Sequence, residues 1–175
     1  GGTGYLTIKG SSASGHNGTV VLATATGNVR NIFIHGASSY IKIENLTIQT
    51  NSGCDNAIYV YGGDNIQVNN CIFTGTSNNT AEYACIEVYN ATNCEIKNNR
   101  VNASFDIGID VNGDDAITRR HLVEGNIVTG FYYAGIKVRR SHYSIVRQNY
   151  VSGPLADTDD TKIFLLRGTH YCLFE

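Results

Sequence analysis

Four side chains that could move protons or hold anions stand at matching places in a recurring tripeptide. They are Glu87 in Ile86-Glu87-Val88, Asp110 in Ile109-Asp110-Val111, Lys137 in Ile136-Lys137-Val138, and Arg139 two residues further on. Two carboxylates one strand spacing apart, roughly 5 Å, suit a retaining glycosidase pair. A lysine next to an arginine suits β-elimination instead. Lys137 would take the proton α to a uronate carboxyl while Arg139 neutralises that carboxyl; Arg139 favours the free amine and Asp110 opposes it. Tyr59, Tyr61, Tyr89 and Asn112 fall at equivalent places and add rings that stack on sugars and an amide that binds hydroxyls. The same residues also read as a surface ladder of ion pairs and aromatic rings that holds strands in register.

Other candidates are sparser. Asp157, Asp159 and Asp160, after Pro154, offer oxygen ligands for calcium; without that, the sequence calls for no cofactor. The five cysteines show no C-x-x-C spacing, which argues against a zinc site or a thioredoxin-type motif, and their odd number forbids complete internal pairing. Cys94 aligns with Ile66 and is expected to be buried and inert. His35 and His121 sit at strand positions and read as structural. A net charge of −2 gives no general attraction for nucleic acid or anionic lipid. No apolar run approaches the roughly 18 residues of a membrane span. Five N-x-S/T sequons (Asn17, Asn45, Asn78, Asn90, Asn102) hint at a secreted chain. The opening Gly1-Gly2-Thr3-Gly4 carries no leader and reads as a processed or excised start.

Strands must position these residues. The chain of 175 residues has 18 Ile, 13 Val and 16 Thr against 8 Leu and 6 Glu, with 19 Asn and 19 Gly as punctuation. That composition specifies short strands joined by tight turns, an all-β chain. One pattern, an apolar residue, any residue, Asn or its substitute, two further residues and an apolar one, occurs at Ile43–Ile48, Val68–Phe73, Ile96–Val101, Val123–Val128 and Val146–Val151, and starts again at Leu173. The third positions (45, 70, 98, 125, 148) are 23 to 28 residues apart. A second strand follows each copy, at Ile58, Ile86, Ile109, Ile136 and Ile163. Such a repeat coils so that each turn lies on the one before, a single solenoid with an irregular stretch over 1–30 and regular repeats over 31–175. Stacking would then place Tyr59, Glu87, Asp110, Lys137 and Phe164 in one outward column and Tyr61, Tyr89, Asn112, Arg139 and Leu166 in the next. Loops at Asp114, Asp115, Arg119, Arg120, Arg140 and His142 flank them.

The I-x-N-N-x-I and G-I-x-V cadence over residues 29–175 resembles the parallel β-helix repeat of the pectate-lyase-like superfamily. The resemblance implies a right-handed parallel β-helix of about six turns. It also implies an internal ladder of stacked Asn side chains at Asn45, Asn70 and Asn98, weakening in the C-terminal half where Gly125 and Gln148 depart from the pattern. Gly108-Ile109-Asp110-Val111 with Asp114-Asp115 is similar to the Asp-rich stretch of polygalacturonases, without the His-Gly and Arg-x-Lys signatures that complete it. The segment from Gly135 to Asn149 is similar to part of the calcium-assisted polysaccharide lyases. The expectation is an extracellular β-helix that engages a polysaccharide through an outer sheet face, as a binder or as a uronate-directed lyase or related enzyme. The other reading is a non-catalytic structural or adhesive module that stacks head to tail into a filament, because the first and last strands leave open edges.

Overall fold

A computed structural model describes residues 4–10, 21–23, 29–36, 38–77, 83–155, 161–169 and 171–175, with side chains left aside at 21–23, 29 and 115–118. Asp157, Asp159, Asp160, Asn17 and Asn78, and with them the calcium candidate, lie outside the described residues, and so does the Asp115 side chain. The described residues are all-β, with no helix, and wind into a parallel β-solenoid of about five turns.

Three walls enclose the coil. The first is a seven-stranded sheet built from Leu6–Lys9, Ser39–Glu44, Asp64–Asn69, Glu95–Lys97, Leu122–Glu124, Ile145–Arg147 and Leu173–Phe174. Val21–Ala23, Thr47–Thr50, Ile72–Thr76 and Tyr150–Ser152 belong to the second wall. Val29–His35, Cys54–Tyr61, Ala84–Tyr89 and Lys162–Arg167 belong to the third. Arg100–Thr118 and Ile127–His142 run through both walls, bending at register shifts between Asn102 and Ile107. Every strand pair is parallel and joins one turn to the next, because a coil returns to the same wall once per repeat.

β-branched side chains fill the interior in columns. Ile58, Ile86, Ile109 and Ile136 are register partners, as are Val60, Val88, Val111 and Val138, and all are at most 1% exposed. Burying each isoleucine contributes about 1.5–3 kcal/mol. Like side chains stand in register and pack on one another, so the repeat itself supplies the close packing.

The corners correct one expectation. Every strand of the first wall from Ser39–Glu44 to Ile145–Arg147 is bracketed by two left-handed residues five apart, at 40/45, 65/70, 93/98, 120/125 and 143/148, with φ between 49° and 67°. Asn45, Asn70 and Asn98 occupy the exit corner with exposed side chains, because Asn tolerates the left-handed region better than other side chains. They therefore do not form the internal ladder. The residue after each corner does: the inward column runs Leu46, Cys71, Asn99, Asn126 and Asn149. Asn99 Nδ2 donates to Val68 O at 2.9 Å and Asn126 Nδ2 to Ile96 O at 2.8 Å. The Asn126 and Asn149 oxygens accept from the backbone N–H groups of Asn99 and Asn126 at 3.0 and 2.9 Å. The ladder thus strengthens toward the C-terminal half, opposite to the expected trend. Gly125 is consistent with this, since a Cβ there would overlap the Asn98 amide oxygen.

Candidate functional site

The third wall carries the site, and its register comes from the isoleucine column beneath it. With Ile58, Ile86, Ile109 and Ile136 inward, Tyr59, Glu87, Asp110 and Lys137 are neighbours up the wall, and so are Tyr61, Tyr89, Asn112 and Arg139. Both columns extend one turn toward the N-terminus, where Phe33 pairs Tyr59 and His35 pairs Tyr61. In the last turn the register is one residue from expectation. Phe164 pairs Ile136 and lies on the inward side, while Leu165 adjoins Lys137 and Arg167 adjoins Arg139. The run Ile163-Phe164-Leu165-Leu166 is apolar at both parities, so alternation alone gives no register there.

Aromatic rings dominate the lower half. Phe33 stacks on Tyr59 at 5.5 Å and 8°, His35 on Tyr61 at 5.4 Å and 7°, and Tyr61 on Tyr89 at 5.7 Å and 15°. Ring faces are therefore turned toward each other from one turn to the next. The Arg30 guanidinium caps Tyr59, 4.6 Å from its centroid.

Charge is concentrated above the rings. Arg30 Nε donates to Asn56 Oδ1 at 3.3 Å, and Asn56 Nδ2 donates to Glu87 Oε2 at 2.8 Å. Burial and the neighbouring Asp110 push the Glu87 carboxyl up to about 7, against the Asn56 hydrogen bond, Lys137 and Arg30. Lys137 Nζ lies 3.3 Å from Asp110 Oδ2, and their side chains are only 4% and 3% exposed. Glu87 and Arg139 are half-buried and lie nearer the surface than either member of that pair. Burial, and after it Glu87, push Tyr59 up to about 12.

A polar corner closes the wall. Tyr89 donates its hydroxyl to Asp114, Asn90 Nδ2 donates to Asp114 Oδ2 at 2.8 Å, and the Asp114 N–H returns a bond to Asn90 Oδ1 at 2.9 Å. These bonds, Tyr89's first, hold the Asp114 carboxyl below its ordinary range, and Tyr89 rises to about 12 in return. Asn90 Oδ1 also accepts from Arg119 Nη2 at 3.0 Å. Gly113 leaves the room for that guanidinium, since a Cβ there would stand 2.6 Å from Arg119 Nε. Asn112, 6% exposed, accepts from Arg139 Nε at 3.0 Å and fixes its orientation.

All eight candidate residues thus share one wall, with Asp110 and Lys137 beneath its surface. Sequence reasoning missed Arg30, Phe33, Asn56 and Arg167 as members of the site, read His35 as structural and named Asn90 only as a sequon. The alternation in Ile32-Phe33-Ile34-His35 could have placed two of them, Phe33 and His35, on the outward side. Cys94 is 2% exposed, and burial pushes its thiol up to about 12. His121 is fully buried at a corner, its Nδ1 accepting from the Cys94 N–H at 3.1 Å. Among the described residues no group of three His, Cys, Asp or Glu could hold a metal, and no helix is long and apolar enough to cross a membrane. The chain matches no protein-family model, no curated protein and no solved structure.

Proposed function

We propose that this chain binds a polysaccharide along the third wall, as an extracellular β-solenoid whose glycan lies parallel to the coil axis. The observation that supports the reading most is the register itself: Tyr59, Tyr61, Glu87, Tyr89, Asn112 and Arg139 stand on adjacent turns of one outward surface, a periodic array facing a periodic ligand. Because the rings are stacked on one another, the sugar contact is made by ring edges, the Tyr61 hydroxyl and the terminal nitrogens of Arg139 rather than by ring faces, while buried Asn112 orients Arg139 from beneath. Binding is favoured over catalysis because Asp110 and Lys137 hold each other below the surface. In an enzymatic form Glu87 is the proton donor, its carboxyl titrating close to neutrality. Tyr89→Ala and Arg139→Ala should each weaken binding to oligosaccharides found on a panel of neutral and acidic glycans by about tenfold, with little change in melting temperature, since outward residues contribute little to the core. Unchanged affinity in both variants would remove the wall as the binding surface. Reducing ends and ultraviolet absorbance on the same panel read out hydrolysis and elimination.

A further inference from the structure

The upper end of the third wall carries positive charge that a neutral glycan would leave unused. Arg139 and Arg167 are register partners on adjacent strands. Arg140 follows at the corner, where a side chain on Gly168 would begin 3.4 Å from Arg140 Cγ. Like charges directly opposite on neighbouring strands are destabilising. The chain has 15 acidic residues against 13 basic ones, enough to neutralise the three. Yet no described carboxylate lies within ion-pair distance of any of them, and only Asp114 feels the Arg140 charge. Arg139 spends its Nε on Asn112, and Arg140 gives one Nη to the Asp114 carbonyl at 2.8 Å. The Asp114 carboxylate is taken by Tyr89 and Asn90.

We propose that Arg139, Arg140 and Arg167 bind a tetrahedral oxyanion, the sulfate ester of a polysaccharide. The inference rests on the polysaccharide reading and names its substrate class. A carboxylate has two oxygens in one plane and is satisfied by one guanidinium fork. Two arginines on paired strands whose backbones are about 4.8 Å apart, with a third at the adjoining corner, approach an anion from three sides and suit an acceptor with oxygens pointing in three directions, which a sulfate ester has. Asn112 holds the Arg139 Nε side inward, so both terminal nitrogens of that guanidinium face the ligand. The anion then relieves the Arg139–Arg167 repulsion, and binding should stabilise the last turn.

Titration with dextran sulfate and with carboxymethyl dextran of matched length and charge density tests this. The wild-type chain should prefer the sulfated polymer tenfold or more, and Arg167→Gln should cut that preference below threefold. Arg167→Lys, which keeps the charge and loses the fork, should fall between. Equal affinity for the two polymers, or a preference undiminished in Arg167→Gln with an unchanged melting temperature, would overturn the inference. Tyr89→Ala reports separately on the wall. A sulfate preference that Arg167→Gln removes and Tyr89→Ala leaves intact keeps the oxyanion site and discards the tyrosine platform, whereas no binding of either polymer discards both.

Discussion

At Glu87 a single carboxyl couples the wall to pH. Folding raises its proton affinity, so between the ordinary carboxylate range and pH 7 the folded chain holds a proton that the unfolded chain releases, and stability falls as pH rises through that window. His121 acts on the other side. Burial and the Arg119 charge push it down from 6.5 to about 3, so the unfolded chain takes up a proton the folded chain refuses, and stability falls as pH drops through that range. Glu87→Gln should keep the Asn56 contact and remove the loss at higher pH. Thermal melts should show the variant more stable than wild type at pH 8, with the difference gone by pH 4; no gain at pH 8 would mean that the ionised carboxylate is well accommodated.

Each corner is an element with its own energetics. Asn126 is fully buried and satisfies Ile96 O and the Asn99 N–H, so Asn126→Ala leaves two interior groups unpaired and should cost about 2–4 kcal/mol in chemical denaturation. Asn70→Ala should cost less, because Asn70 only tolerates a left-handed φ of 54° at an exposed corner. Equal losses would return the ladder to the position expected from sequence. The strands and their stacking were legible because burial alternates with period two, and the Ile-x-Val copies repeat the same parity. Both site columns followed from that alone. The ladder was misplaced by one residue because Asn98-Asn99 offers two amides, and sequence does not say which one takes the left-handed corner and which turns inward. Burial of Asp110 and Lys137 was illegible for another reason: alternation gives the side of a wall on which a residue lies, not what covers it.

Across the whole molecule, the first wall shows how register is held. Its outer column runs Lys9, Glu44, Asn69, Lys97, Glu124 and Arg147, with Arg147 Nε 2.7 Å from Glu124 and Lys97 3.8 Å from it. A shift by one turn would break both Glu124 contacts and set Lys97 against Arg147. The amide ladder also makes the coil a graded cable. Hydrogen bonds between turns run along the coil axis, so tension applied along that axis loads the interfaces in series and the weakest parts first. Interfaces stapled by Asn99, Asn126 and Asn149 resist, and those resting on Leu46 and Cys71 do not. Under load the chain should pay out one turn at a time from its N-terminal half, roughly 80–100 Å of slack per released turn, with the C-terminal turns still wound.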